Sequence, residues 1–230
     1  MNERRKRGRP SGRGPQGIET KQRLYATAIQ LIGDRGYSAT TLRDIAAEAG
    51  VSPGLLYKYF PSKQAIVLTL YDQLSAEYAE RATSLVSGSW TTRFSHALRA
   101  SLDVLGPHRT ALASLAGVLV ADPDRSLFAE QTSFSRQRVQ AAFSAAVAGA
   151  SDGPAGEVGE ALGRLLYLAH LLIILWWLLD KSPEQRATSA LLDKVDASLP
   201  MLAMSMQLPM AAGLIASADQ LVRDALIQDR

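Results

Sequence analysis

The stretch that decides the fold is Gly36–Lys63, which reads GYSATTLRDIAAEAGVSPGLLYKYFPSK. Thr41 is a favourable helix N-cap, and Asp44 three residues later makes an acidic variant of the capping box. Ser52 is a second cap, and Pro53 follows it at the first helical position, where a missing N–H has no penalty. The stretch therefore predicts two short helices joined by a tight turn, which is a helix-turn-helix.

Helical periodicity continues on both sides of this stretch. A helix is predicted from about Ile18 to the glycines at 33–36, with one apolar face formed by Leu24, Ala28, Leu31 and Ile32. The two short helices are predicted to bury Ile45, Ala46, Ala49, Leu56 and Phe60. Pro61 ends the second short helix, and Ser62 caps a fourth helix that runs to about Ser84.

The rest of the chain has no strand-like alternation, so the predicted fold class is all-α. Further helices are predicted at about 91–105, 108–121, 125–148, 157–180, 184–206 and 210–228. Turn-forming residues separate them at Gly88, Gly106-Pro107, Asp122-Pro123, Gly149–Gly156, Pro183 and Pro209. The last of these is predicted to be either a break or a kink.

The charge of the chain is divided unevenly. Residues 1–65 hold 12 Lys and Arg against 5 Asp and Glu, a formal charge of +7, whereas residues 66–230 hold 13 against 17, a charge of −4. A polyanion is attracted to the first part only. The asymmetry therefore predicts nucleic acid as the partner of the N-terminal part.

The sequence shows no catalytic constellation. Cysteine is absent, which excludes disulfides, cysteine-ligated metals and thiol catalysis. The three histidines, His96, His108 and His170, lie on separate predicted helices without metal-ligand spacing. We therefore expect a protein that is not an enzyme and that has neither a metal nor a cofactor.

Two segments bear on cellular location. Met1–Gly17 is charged and has no apolar stretch after its basic run, so we expect no secretory signal. The long apolar run Leu165–Leu179 has 15 residues, fewer than the roughly 20 that span a bilayer, which favours a buried helix. A cytoplasmic, nucleoid-associated protein is expected.

Gly36–Lys63 closely resembles the DNA-binding segment of regulators of the tetracycline-repressor (TetR) family. The shared elements are Thr-Thr at 40–41, Ile-Ala-x-x-Ala-Gly-Val-Ser at 45–52, Gly-x-Leu-Tyr-x-Tyr-Phe at 54–60 and Ser-Lys at 62–63. Two departures concern packing positions: Ile32 stands where the family often has an aromatic, and Thr27 where it often has alanine.

The resemblance implies an N-terminal three-helix helix-turn-helix domain and a larger helical domain for ligand binding and dimerisation. The implied bounds are a flexible basic arm at 1–17, a DNA-binding domain at 18–64 and a ligand-binding and dimerisation domain at 65–230.

The resemblance also implies roles for single residues at the DNA. Phosphate contacts, which fix the register without reading sequence, would be made by Thr41, Ser52, Tyr57, Tyr59 and Lys63. Base edges in the major groove would be met by Arg43, Pro53, Gly54, Leu55 and Lys58. The alternatives left open are that Tyr57 and Tyr59 only pack and that Lys58 is only solvated.

The basic arm contains Arg-Gly-Arg-Pro at 7–10, which resembles the core of an AT-hook. Arginines enter narrow A·T minor grooves because the negative potential is enhanced there. Arg5, Arg7 and Arg9 are therefore predicted to insert into a minor groove, and plain electrostatic tethering is the alternative.

The helix predicted at 157–180 is apolar on all sides over Leu165–Leu179, so it must be covered all round. In the family it resembles, this helix and a later one form a four-helix bundle across a two-fold axis. A homodimer interface is therefore predicted at Leu171, Leu175, Trp176, Leu178, Leu192 and Val195. Burial wholly within one subunit is the alternative.

By the same resemblance, a ligand pocket would lie among the helices between about 91 and 180. Its predicted lining is mostly apolar and suits a small lipophilic effector: Phe94, Leu102, Leu115, Phe134, Arg138, Tyr167 and His170. His170 is polar within the most apolar helix, so it must find a partner or lie near a cavity. For each of these residues a purely structural role is the alternative.

Together these observations predict a ligand-responsive transcriptional regulator that binds a palindromic double-stranded DNA operator as a homodimer. The resemblance implies a repressor that the effector releases, with the helix from Ser62 to about Ser84 as the connecting lever. The competing prediction is an architectural or activating DNA-binding protein that works without an effector.

Overall fold

The computed structural model describes residues 14–82, 87–121 and 129–226. Within these ranges the regular structure is helical and contains no strand, which confirms the all-α prediction. The chain divides into two compact units, one up to Val67 and one from Leu68. Several predicted features lie outside the described residues: Arg5, Arg7 and Arg9 of the arm, Ser84 and Asp122-Pro123.

The first unit is built from helices α1 (Pro15–Arg35), α2 (Leu42–Glu48) and α3 (Pro53–Tyr59) and the start of α4 (Lys63–Ala82). The predicted start of the first helix is wrong, whereas its predicted end within 33–36 is confirmed. The α1 helix begins before residue 18 because Pro15 stands at its first position, and it continues through Gly33. It ends at Gly36, whose φ of 86° lies in the left-handed region that favours glycine.

The core of the first unit forms as the sequence pattern predicts. Its members have at most 1% of their surface exposed: Leu24, Ala28, Ile32, Ile45, Ala46, Leu56 and Phe60. Ala49, which was predicted inward, is only half-buried. Thr40 is fully buried, and its hydroxyl lies 3.1 Å from the carbonyl of Leu31 and 2.9 Å from that of Gly36. The turn before α2 is thereby held against α1.

The second unit continues from α4 through five long helices and a C-terminal one. They are α5 (Trp90–Leu105), α6 (Arg109–Ala121), α7 (Ser133–Ala148), α8 (Gly156–Leu179), α9 (Arg186–Ser205) and α10 (Ala211–Leu226). The packing of α8 against α7 is close, since a Cβ on Gly163 would lie 2.8 Å from the Cα of Ser144. The break at Pro209 between α9 and α10 is a true break.

Gly106-Pro107 separates two helices as predicted: α5 ends at Leu105, and the 3-10 turn Gly106–His108 leads into α6. One predicted feature of the second unit is wrong. The helix predicted from 125 is not α-helical at 129–132, where Ala129 is extended and the 3-10 turn Glu130–Thr132 precedes α7.

Arginine side chains donate to backbone carbonyl groups near the C-terminal ends of two helices. Arg93 is buried and donates from Nε to the carbonyl of Ala146 and from Nη2 to that of Ala145, each at 2.9 Å. Arg109 donates to the carbonyls of Trp177 at 2.8 Å and Asp180 at 2.6 Å. A cation at a helix C-terminus is also favoured by the helix dipole, so these contacts fix where α7 and α8 end.

The C-terminal helix α10 packs on α8 through an ion pair. Arg164 on α8 meets Asp219 on α10 in a two-pronged contact, Nε to Oδ1 at 2.7 Å and Nη2 to Oδ2 at 2.8 Å. Asp219 is only 2% exposed, and Arg223 adds a second cation at 3.3 Å. Paired and hydrogen-bonded in this way, the buried carboxylate is compensated, and α10 is held in one register.

The α8 helix has 24 residues and lies within one residue of the predicted bounds 157–180. It is the one described helix that is long and apolar enough to cross a membrane by length and composition. Its buried residues include Leu162, Leu166, His170 and Ile173, and it packs against α5, α6, α7 and α10. This is the pattern of a core helix, as predicted.

Candidate functional sites

The N-terminus of α2 has a complete capping box. The Thr41 hydroxyl oxygen accepts from the Asp44 backbone N–H at 3.1 Å, and the Asp44 carboxylate accepts from the Thr41 backbone N–H at 2.9 Å. The hydroxyl hydrogen of Thr41 is also directed to Asp44, at 2.6 Å, and this bond is the main reason why the pKa of Asp44 is lowered. The predicted cap is confirmed, and in the free protein it occupies the hydroxyl that was assigned to a phosphate.

The α3 helix divides its residues between core and solvent as a groove-reading helix requires. Its Ser52 cap accepts from the backbone N–H of Leu55 at 3.3 Å, and Leu56 is fully buried. The other faces are open: Pro53, Gly54, Tyr57 and Lys58 are exposed, and Leu55 and Tyr59 are half-buried. One face therefore anchors the helix, and its N-terminal half remains free to approach a partner.

Gly54 leaves unused space at the start of α3. A Cβ built on it meets no heavy atom within 4 Å, and its backbone angles lie outside the left-handed region. The fold of this chain therefore does not require glycine here. The predicted base contact gives a separate reason for glycine at this position, because a residue without a side chain lets another molecule come close to the backbone.

Lys63 lies at the first position of α4 and is tied to the loop before α2. Its Nζ donates to the carbonyl of Tyr37 at 2.6 Å and stands 4.4 Å from the centre of the Tyr37 ring. An ammonium has three donors, so the Tyr37 bond is compatible with a phosphate contact. The phosphate role of Lys63 stays a prediction, as do the DNA roles of Arg43, Ser52 and Tyr59.

An aromatic cluster in the second unit brings together three of the predicted pocket residues. Phe143 is its centre, with its ring 6.0 Å from Phe94, 6.3 Å from Tyr167 and 4.7 Å from His170, centroid to centroid. Tyr78 of α4 completes it, stacked 6.4 Å from His170 with an interplanar angle of 10°. Sequence reasoning missed Phe143 and Tyr78, since neither stands out from its helical pattern.

The other predicted pocket residues do not all join this cluster. Leu115 is buried and Leu102 is half-buried. Phe134 is 60% exposed and lies under the guanidinium of Arg138, 4.1 Å from ring centre to Cζ. Arg138 itself donates to the Ser75 hydroxyl at 2.8 Å and to the Asp72 carboxylate at 3.1 Å. Phe134 and Arg138 thus pair at the surface, where Arg138 also bonds to α4, and their place in the pocket lining stays a prediction.

His170 is buried, with only 3% of its surface exposed. Its Nε2 lies 2.8 Å from the Ser101 hydroxyl oxygen, and its Nδ1 is buried with no hydrogen-bond partner. Burial disfavours the imidazolium and lowers the pKa of His170 from 6.5 to about 3. The imidazole is therefore neutral at physiological pH. Its predicted need for a partner is met on one nitrogen only.

This shift predicts a pH dependence of stability. Because the folded pKa of His170 is below the unfolded value, the unfolded chain takes up the proton first. The stabilising contribution is present above pH 6.5 and decreases as the pH falls toward 3, by up to about 1.4 kcal/mol per pH unit. Urea unfolding of His170→Leu between about pH 5 and 6.5, above the usual carboxylate range, should lack this slope. His96→Gln is the control, and a slope retained in His170→Leu would contradict the assignment.

The apolar face that α8 presents to solvent differs from the predicted one. Leu172, Trp176 and Leu179 follow each other at i, i+4 and i+7 and are 69%, 49% and 60% exposed. Leu178, which was assigned to the dimer interface, is buried in its own chain. Leu171 is half-buried. The remaining interface candidates are also half-buried: Leu175, Leu192 and Val195. Trp176, which was assigned to the interface, lies on the exposed face, whereas Leu171, Leu175 and Leu178 lie one residue, about 100°, away from it.

Acidic and histidine side chains of the described ranges form no cluster that could hold a metal ion. An anchored α3 with an exposed N-terminal half, preceded by a capped α2 and a tight turn, has the geometry of a DNA-binding helix-turn-helix. Residues 24–70 match the family model described as "Bacterial regulatory proteins, tetR family". The N-terminal part of the chain therefore has the DNA-binding domain of the TetR family of transcriptional regulators.

The curated relatives match only a part of the chain, whereas solved structures match most of it. The chain is 41% identical over 68 residues to the HTH-type transcriptional regulator EthR of Mycobacterium tuberculosis, a match of 30% of this chain and 31% of that one. The matches to the curated relatives compared make up 18% to 42% of those proteins.

The likeness to solved structures extends over both units. A TetR-family regulator of Streptomyces coelicolor matches 89% of both chains with a TM-score of 0.59 and 20% identity. Thermus thermophilus FadR, solved with lauroyl-CoA, covers 78% of this chain and 92% of its own, with a TM-score of 0.55 and 22% identity. At this level of identity the likeness concerns the fold.

Proposed function

We propose that this chain is a ligand-responsive repressor that binds a palindromic operator as a homodimer and is released by a small lipophilic effector. It acts in the cytoplasm, on the nucleoid. The observation that carries the proposal is the division of α3 between the buried Leu56 and the exposed Pro53, Gly54, Tyr57 and Lys58. A helix held by its core face and open at its N-terminal half suits the major groove.

The exposed apolar face of α8 supports dimerisation. Leu172, Trp176 and Leu179 form a contiguous ridge, and Met201 and Met204 on α9 are 77% and 72% exposed. Apolar surface of this kind marks protein interaction sites when it is contiguous. A second copy of the chain is the occupant we propose, because a two-fold pair places two recognition helices about 34 Å apart, one turn of DNA.

The aromatic cluster supports an effector site in the second unit. Phe94, Phe143 and Tyr167 are at most 5% exposed and offer apolar surface, and His170 adds a neutral polar group. In a structural relative, T. thermophilus FadR, the bound molecule is lauroyl-CoA, which has a long apolar chain. The effector releases the protein from its operator if it binds better to a dimer state in which the two DNA-binding units are wrongly spaced for the operator.

An operator can be selected from random duplex DNA with the full chain and confirmed by fluorescence anisotropy. Repression is then tested with a reporter gene under that operator, with and without hydrophobic candidate effectors. A constitutively bound protein that no effector releases would support the architectural alternative. Increased reporter expression on binding would support the activating one. A chain that ignores duplex DNA at low salt would overturn the proposal.

Substitutions at the interface should separate base contacts from phosphate contacts. Arg43→Ala is expected to relax preference at one operator position, with a loss of about 1–3 kcal/mol for the preferred base. Tyr59→Phe is expected to weaken binding to all sequences similarly. Arg186→Ala, at an exposed arginine of the second unit, is the control. The position-by-position binding profile of each variant measures the difference, and identical profiles for Arg43→Ala and the control would reject the base contact.

A further inference from the structure

Two buried polar atoms in the aromatic cluster have no hydrogen-bond partner. They are the Tyr78 hydroxyl and His170 Nδ1, on residues that are 2% and 3% exposed. Their rings are nearly parallel and 6.4 Å apart. A buried polar group without a partner costs about 1–3 kcal/mol, so two of them on neighbouring rings of one cluster are expected to serve a polar ligand group.

We infer that Tyr78 and His170 bind an uncharged carbonyl oxygen of the effector, which is therefore a lipophilic ketone, ester or amide. The inference rests on the proposed function, because it names the ligand class of the site proposed there. Phe143 contacts both members of the pair, Tyr167 contacts His170, and Phe94 packs on Phe143; these rings suit the apolar part of such a molecule.

The hydrogen bond between Ser101 and His170 indicates which ring nitrogen of His170 carries the proton. Ser101 is 4% exposed, and its hydroxyl oxygen lies 2.8 Å from Nε2. If the hydroxyl donates to Nε2, its hydrogen is used and Nδ1 carries the imidazole proton. The reverse arrangement would leave the serine hydrogen without this acceptor and Nδ1 as a bare lone pair. The first arrangement leaves fewer groups unmet, so Nδ1–H and the Tyr78 O–H are both donors, as a carbonyl oxygen requires.

The surroundings favour a neutral ligand group over a carboxylate. Burial alone shifts the pKa values of Tyr78 and His170, upward for the phenol and downward for the imidazole, and no charged neighbour contributes at either. The nearby cation Arg136 acts on Tyr167 instead. A carboxylate placed against Tyr78 and His170 would lose its hydration where no cation acts on either residue, which is unfavourable.

The position of Tyr78 also links this contact to regulation. Tyr78 lies on α4, the helix that begins at Lys63 in the DNA-binding unit. One turn before it, Ser75 and Asp72 hold Arg138 of α7. A ligand that bonds the Tyr78 hydroxyl therefore acts directly on the helix that runs into the DNA-binding unit.

Three matched probes test the inference on the full-length protein: acetophenone with a ketone, ethylbenzene with the same skeleton but no oxygen, and benzoate with a charge. Ligand-observed NMR titration gives the three affinities. We expect acetophenone to bind about tenfold more tightly than ethylbenzene, and benzoate more weakly than acetophenone. Equal affinities for acetophenone and ethylbenzene, tighter binding of benzoate, or no binding of any probe would overturn the inference.

Tyr78→Phe is the decisive variant, because it removes one hydroxyl and keeps the ring. It should abolish most of the preference for the ketone and leave ethylbenzene affinity unchanged. Tyr25→Phe is the control, since it removes the hydroxyl of a half-buried tyrosine of the first unit, outside the cluster. The ¹⁵N spectrum of labelled His170 should show the Nδ1–H tautomer and respond to acetophenone only. Preference retained in Tyr78→Phe, or an Nε2–H tautomer, would contradict the inference.

Failure of this inference can be distinguished from failure of the proposed function. Operator binding of the same wild-type preparation is measured in parallel by anisotropy. A protein that binds its operator but has no ketone preference retains the proposed function and loses only the ligand class. A protein that does not bind DNA at all loses the proposed function, whatever the probes do.

Discussion

Replacing Gly54 by glutamate is expected to lower operator affinity by at least about 100-fold while the melting temperature stays the same or rises slightly. The position is exposed, and a Cβ there meets nothing in the free protein. An acidic side chain in the first turn of α3 also favours the helix dipole. At the DNA, however, the same side chain would occupy the space of the approaching groove and carry a negative charge toward the phosphates.

The opposite effects on stability and binding make this prediction specific. Gly117→Glu is the matched control, because Gly117 also lies exposed within a helix of the described chain and its Cβ would meet nothing within 4 Å. Gly54→Ala should have a smaller effect on binding than Gly54→Glu, in proportion to its size. Fluorescence anisotropy and thermal unfolding measure both properties on the same samples. If Gly54→Glu bound the operator like wild type, α3 would not be the helix that enters the groove.

The double substitution of Leu172 and Trp176 by aspartate is expected to convert the dimer into monomers. Both side chains are exposed in the single chain, 69% and 49%, so their replacement leaves the core of the subunit intact. Buried in a two-fold interface, an aromatic anchor and its neighbour contribute about 2 kcal/mol or more each, and two facing charges add repulsion. The dimer dissociation constant should therefore rise by at least about 100-fold.

Sedimentation velocity over a range of concentrations measures the oligomeric state. Affinity for the full palindrome should fall with it, whereas binding to an isolated half-site should change little. Phe134→Glu is the control, since it replaces another exposed ring, 60% exposed, on α7. A double variant that stays dimeric at micromolar concentration would place the interface elsewhere.

The local structure of the DNA-binding unit could be predicted from the sequence because its signals act over a few residues. Thr41 and Asp44 cap α2 through bonds between neighbours, and Ser52 caps α3 in the same way. Leu56 and Phe60, four residues apart, lie on one helical face and are buried as expected. Such signals do not depend on how distant parts of the chain pack.

The second unit was harder to predict because the sequences of its helices do not show which helical face is buried. The α8 helix is apolar on all sides, so its sequence cannot tell which face meets its own subunit. Leu178 was assigned outward and is buried, whereas Leu172 was not assigned and is exposed. Phe134 was assigned to a pocket and lies on the surface under Arg138. The DNA, dimer and effector roles of single residues stay predictions that only binding experiments test.

By itself, the sequence determined the all-α class, the helix-turn-helix, its caps and buried face, and the charge division between the two parts. Periodicity, capping and charge are properties of short segments, and they do not depend on how distant parts of the chain pack. Only the tertiary structure decided that Tyr78, Phe143 and His170 share one cluster, that Asp219 pairs with Arg164, and which face of α8 remains open. These contacts join residues far apart in the chain, and their geometry depends on how whole helices pack.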